Sequence, residues 1–325
     1  MNRSGKLHAL LATSRVANIP SVVSNVWLGV AVATILGDAP IAWGLTLRLA
    51  LAGVLLYIAG NFLNDWMDRA WDAKHRPERA LPRGLFPPTL YLALAVVLAM
   101  LGVGAAASVG SASGIVALAI VGCIVIYTVW HKRSPWLVIP MGLCRALLPV
   151  LGFVAFAPHL NGIWPAASGL FCYIAGLSLS ARYEAMPHAP KIAMFASRTL
   201  LVTTAALMIK ECVSLLFCLP VVNSGLVAYL EGSKNATWLT LLLPVAFSGA
   251  IAYYLWLVVC LTVRRKPVPV HVSSLLAGIP LVDWIVLLPI SLSLGSWNPF
   301  AIACLVTPPL AFVSALLLQR LAPAT

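Results

Sequence analysis

Carboxylates are scarce in this chain. Nine Asp and Glu stand against 21 Lys and Arg in 325 residues, and charged residues make up only 9% of a sequence that is 61% apolar. A charge content that low excludes a soluble globular protein. Also missing is any CxxC pair. The seven cysteines lie scattered in apolar segments, where they read as small hydrophobes, so a disulfide framework and a zinc site are both excluded. No internal repeat at a fixed period is found, which weighs against an ion-coupled transporter. No low-complexity linker or shift of composition divides the chain, and residues 1–325 read as one integral-membrane domain.

What is present is a succession of long apolar runs. Ten are long enough for the ~20 residues a membrane crossing needs: 17–37, 41–63, 89–109, 113–130, 136–157, 164–181, 199–222, 237–262, 273–294 and 298–319. The number falls to nine if the last two are broken or re-entrant. The first run is longer than a signal-peptide core and lacks a small-residue cleavage site, so it reads as a retained helix. The net charge of +12 does not gather into a nucleic-acid face; 17 of the 21 Lys and Arg lie at the termini and between alternate spans. That asymmetry places both termini on the cytoplasmic side. The expected fold is all-α, a polytopic bundle of nine to ten transmembrane helices around a central apolar chamber that opens to a cytoplasmic polar site.

Four of the nine acids, three of them aspartates, crowd into one stretch, NFLNDWMDRAWDAKHRPERALPRG, residues 61–84. Asp65, Asp68 and Asp72 stand at i, i+3 and i+7, which on a helix puts them within about 60° of one another. Carboxylates so placed repel unless a cation sits among them. Oxygen-only donors suit a hard divalent ion, and Mg²⁺ commonly combines one or two carboxylates with substrate phosphates. Asn61 and Asn64 lie near the same face and add amide oxygens or donors, Asn61 toward the substrate. Lys74, Arg76, Arg79 and Arg83 follow, suited to the outer oxygens of a diphosphate.

Other polar groups sit where polarity is expensive. Asn18 and Asn25, seven residues apart, share one side of the first span, as interhelical hydrogen bonds or as ligand contacts. Tyr127, Lys132 and Arg133 close the fourth span on the same membrane face as the aspartates. Arg145 lies deep in the fifth, where a charge costs at least about 2.5 kcal/mol and calls for an acidic partner or an anionic ligand. Arg182 and Glu184 follow the sixth, either as a surface pair or as part of a metal site. Lys210-Glu211 either pairs with other helices or marks a break in its span, and Asp283 partners Lys210 or a helix dipole.

These residues resemble a known family. Asn64-Asp65-Trp-Met-Asp68-Arg-Ala-Trp-Asp72 is similar to the NDxxDxxxD signature of the UbiA superfamily of intramembrane prenyltransferases. Arg76-Pro-Glu-Arg79-Ala-Leu-Pro-Arg83-Gly resembles its RPxRPLPxG continuation, with Ala80 where proline is common, and Tyr127-Thr128 to Lys132-Arg133 resembles its YTxxxKR element. The resemblance covers roughly residues 10 to 265, leaving 266–325 as two further helices. It implies that Mg²⁺ on Asp65, Asp68 and Asp72, oriented by Asn64, bridges an isoprenyl diphosphate whose oxygens face Arg79, Lys132, Arg133 and Arg145. Asn18 and Asn25 would meet the head group or a lipophilic or amphiphilic acceptor. The family's second acidic motif is reduced here to Ser180-Ala-Arg182-Tyr-Glu184. That variant and Cys144-Arg145 resemble the EboC-like branch, and they keep open a carrier that binds a lipid diphosphate without turnover.

Overall fold

The computed structural model describes residues 3–37, 40–130, 138–157, 162–183, 190–219, 237–264, 268–294 and 297–321. They are helical, with no strand among them. A short exposed helix, α1 (Arg3–Thr13), leads through one 3₁₀ turn (Val16–Asn18) into α2 (Ile19–Gly37). α3 (Trp43–His75), α4 (Pro88–Ala107), α5 (Ser111–Trp130) and α6 (Val138–Phe153) follow. The second half holds α7 (Trp164–Tyr183), α8 (Lys191–Cys218), α9 (Thr237–Thr262), α10 (Val268–Ala277), α11 (Ile279–Ser293) and α12 (Pro299–Leu321).

Among the described residues, seven helical segments are long and apolar enough to cross a membrane, counting α10 and α11 together, and the apolar α6 and the 247–262 part of α9 are shorter. Burial sorts them. The α10–α11 segment is 83% buried and the α2 segment 67%, against 22% for α4 and 28% each for α5 and α12. The two most buried segments form the middle of the bundle, so their polar residues must find partners inside the protein.

Close backbone approach fixes α2 against α6. A Cβ on Gly29 would fall 1.8 Å from the Pro149 carbonyl oxygen, and one on Gly152 would fall 2.2 Å from that of Val26. Only glycine fits at these crossings. The expected span at 273–294 is in fact two helices meeting at Gly278, because the break is held from outside. Tyr173 donates its hydroxyl to the Leu275 carbonyl at 2.6 Å and Trp256 its indole N–H to that of Ser274 at 3.0 Å. Those bonds help satisfy carbonyls at the end of α10. Conversely α8 runs unbroken through Lys210 and Glu211, with Lys210 exposed and Glu211 buried.

Candidate active site

α3 has 33 residues, about 50 Å at 1.5 Å each, against a hydrocarbon core of ~30 Å. Its surplus length carries the aspartates beyond the apolar part. The expected stripe is present, with Asp68 and Asp72 buried and Asp65 nearly so. The cation that bridges Asp65 and Asp72 is Arg79. Beyond Arg76, whose N–H caps the Asp72 carbonyl at 2.7 Å, the chain turns back, passing through Gly84 at φ 67°. Ala80 and Leu85 tuck against Phe62 and Tyr91, anchoring the loop on α3 and α4. Arg79 is thereby aimed inward, and its Nη1 donates to Asp72 Oδ2 at 2.9 Å and to Asp65 Oδ1 at 3.3 Å.

Two oxygens here are buried without a partner, Asp72 Oδ1 and Asn64 Oδ1, while Asn64 Nδ2 donates to Asp68 Oδ2 at 3.4 Å. Among the described residues no three His, Cys, Asp or Glu come together tightly enough to cage an ion by themselves. The donor set, carboxylate and amide oxygens with two left unsatisfied, fits Mg²⁺ shared between one or two carboxylates and a phosphate better than an all-protein site.

Arg15 joins this cluster, and sequence reasoning gave it no role. It breaks the chain between α1 and α2 in the left-handed region, at φ 48°. Two α3 side chains hold the break, Asn61 Nδ2 donating to the Ser14 carbonyl at 3.2 Å and Tyr57 Oη to that of Arg15 at 3.4 Å. Asn61, expected to touch substrate, therefore spends an amide N–H on this turn. The Arg15 charge acts on both Asp65 and Tyr127, and Tyr127 also feels Asp68 and Arg182. Three helices, the Arg15 turn and the loop bearing Arg79 thus contribute to a single patch of mixed charge. Arg76 lies exposed at its edge. The remaining expected members, Lys132, Arg133 and Glu184, lie outside the described residues. A signal for the Arg15 break was available in Ser14, Asn18 and Pro20, which are helix-start residues.

Deeper in the bundle, Arg145 is buried and its partners are internal. Nη1 donates to Asn25 Oδ1 at 3.1 Å and Nη2 to Ser21 Oγ at 2.7 Å, with the Tyr57 ring 5.8 Å away. Asn25 Nδ2 reaches both oxygens of Asp283, at 2.9 and 2.8 Å, and Ser24 donates to one of them. The countercharge of Arg145 is therefore Asp283, relayed by Asn25. Asp283 is thus held by Ser24 and Asn25 and not by Lys210, one of the two partners expected for it. Asn18 is buried in the 3₁₀ turn with Oδ1 unpartnered.

Fold and site together define an integral membrane protein with a carboxylate and arginine cluster at one end of a helical bundle. The model of the UbiA prenyltransferase family matches residues 25–267, and the chain belongs to that family. Digeranylgeranylglyceryl phosphate synthase of Halobacterium salinarum is 37% identical over 128 residues, covering 38% of this chain and 43% of that protein. Protoheme IX farnesyltransferase of Beijerinckia indica is 34% identical over 108 residues, covering 32% of this chain and 34% of that one. The chain thus spans less than half the length of these curated relatives. A solved digeranylgeranylglyceryl phosphate synthase superposes with a TM-score of 0.56 at 17% identity over 93% of this chain and 99% of that one. A UbiA homologue from Aeropyrum pernix K1, in its apo form, gives 0.53 at 14% over 92% and 98%. These two structures share its fold.

Proposed function

We propose that the protein transfers an isoprenyl group from an isoprenyl diphosphate to a lipophilic or amphiphilic acceptor within the bilayer, with residues 1–325 acting as one domain. The observation that carries this reading is the Arg79-bridged carboxylate stripe on α3 with its two unsatisfied oxygens. Asp65, Asp68, Asp72 and the Asn64 amide would hold Mg²⁺, with Glu184 a further candidate ligand. The ion would supply Lewis acidity toward the diphosphate.

The chain's own residues do the rest. Arg79 and Arg15 turn from carboxylates to diphosphate oxygens, and Arg182, Arg76, Lys132 and Arg133 complete a cationic rim. The C1–O bond breaks, its electron pair leaves with the diphosphate, and the arginines stabilise the charge that develops there. The Tyr127 hydroxyl, which feels the charges of Arg15, Asp68 and Arg182, would donate to a diphosphate oxygen. C1 then bonds to the acceptor, which gives up a proton. The positive-inside count puts this site and both termini in the cytoplasm.

The test is Mg²⁺-dependent diphosphate release from geranyl diphosphate by the purified protein in liposomes. Asp68→Asn abolishes it on this reading, and full activity in that variant refutes it. Binding of geranyl diphosphate with no release over long incubation identifies a carrier instead, a reading that the single acid of the 180–184 segment keeps in view.

A further inference from the structure

The network beneath the carboxylates is incomplete at two places. A guanidinium carries five N–H donors. Arg145 uses one on Asn25 and one on Ser21, and the other three have no partner among the described residues. Its charge, by contrast, is already answered. Asp283 is fully buried, with each oxygen accepting from Asn25 and one of them also from Ser24. The pair is neutral, while its donors remain in excess.

An unsatisfied acceptor lies on the same chain of hydrogen bonds. Ser21 Oγ, which receives the Arg145 donor, itself donates to the Asn18 carbonyl at 2.7 Å. Asn18 is 4% exposed and its Oδ1 has no partner. Its backbone N–H bonds the Arg15 carbonyl, within the turn that Tyr57 also holds. Tyr57, beside Arg145, precedes Asp65 by eight residues, two turns or about 12 Å along α3. Arg145 therefore faces α3 about two turns further into the apolar part of the bundle than Asp65, the side that the prenyltransferase reading leaves to the acceptor.

We propose that Arg145, Asn18 and Tyr57 form the acceptor subsite and that this subsite takes a neutral, hydroxyl-bearing head group. It rests on the prenyltransferase reading above. A hydroxyl accepts from Arg145 and donates to the Asn18 amide oxygen, satisfying both deficits with one group. A carboxylate or phosphate satisfies only the first and adds an unbalanced charge to a desolvated neutral pair, which is penalised at this depth.

The experiment uses the purified full chain with geranyl diphosphate and Mg²⁺, offered matched acceptors that differ in charge: 4-hydroxybenzyl alcohol against 4-hydroxybenzoate, and glycerol against glycerol 1-phosphate. Prenylated product and the melting temperature of the detergent-solubilised protein are read for each. The neutral member of a pair is expected to act at tenfold or lower concentration than its anionic partner. Asp283→Asn, which leaves Arg145 uncompensated, is expected to reverse that order. An anionic member that matches or beats its neutral partner on the wild type overturns the proposal, as does the lack of any effect by either member while geranyl diphosphate is still hydrolysed. If nothing is hydrolysed, the prenyltransferase reading falls and the melting shifts alone decide the subsite. If Asp283→Asn does not fold, the wild-type comparison decides it.

Discussion

Replacing Arg79 by Met separates the two tasks this side chain combines. In the native chain it neutralises Asp65 and Asp72, and the Asp72 side chain is only 2% exposed. Removing one partner of a buried pair costs about 3–5 kcal/mol, and Arg79 is itself 21% exposed, so about 3 kcal/mol is expected. Without the arginine the three carboxylates become a stronger cation site. Mg²⁺ at a hundred times its dissociation constant would return about 2.7 kcal/mol, nearly the whole loss. The melting temperature of Arg79→Met in detergent should therefore fall well below wild type in a chelator and recover most of the difference as Mg²⁺ is added. Wild type, whose carboxylates are already paired, should respond weakly to Mg²⁺ until geranyl diphosphate is present. The variant should also lose diphosphate release. A variant that melts like wild type in chelator and ignores Mg²⁺ would show that Asp65 and Asp72 are not poised for a metal.

Arg15→Gln should raise the KM for geranyl diphosphate about 10- to 100-fold, the loss of one charge-assisted hydrogen bond worth ~1.5–3 kcal/mol, and an unchanged KM would remove Arg15 from the site. Gly29→Ala should lower the melting temperature through about 1–3 kcal/mol of overpacking, since its Cβ would meet the Pro149 carbonyl at 1.8 Å; a neutral result would mean that α2 and α6 are not so closely apposed. Glu211→Leu should raise the melting temperature, because Glu211 is buried with Oε1 unpartnered and such a group costs about 1–3 kcal/mol. A fall would show that this carboxylate has a partner.

Legibility followed sequence separation. The carboxylate stripe needs only the period of one helix, and Asp65, Asp68 and Asp72 could be placed on a common face before any tertiary contact was known. The membrane character was equally open to reading, because it depends on summed hydropathy and not on which residues meet. Arg79 reaching Asp72 spans seven residues and one turn and was half visible, as a basic segment following an acidic one. The break at Arg15 was not, since the groups that hold it, Tyr57 and Asn61, come 42 and 47 residues later than the carbonyls they bind. Nor was the break at Gly278, which leans on Tyr173 and Trp256 from other helices.

The network of Arg145, Asn25 and Asp283 shows why such pairings resist sequence reading and why they still constrain function. Asn25 and Asp283 lie 258 residues apart, and nothing local distinguishes Asp283 as the mate of Arg145 rather than of Lys210. Each residue taken alone was an unexplained polar group at a depth where polarity is penalised. Arg145 alone called for an anion, and the diphosphate was the obvious one to supply. Once Asp283 answers its charge, that demand disappears and only directed donors are left, beside a Tyr57 that stands two helical turns before Asp65. On the proposal above, a pairing invisible in the sequence would therefore move Arg145 from the leaving group's side of the reaction to the acceptor's, and it would change the chemistry expected there from anionic to neutral.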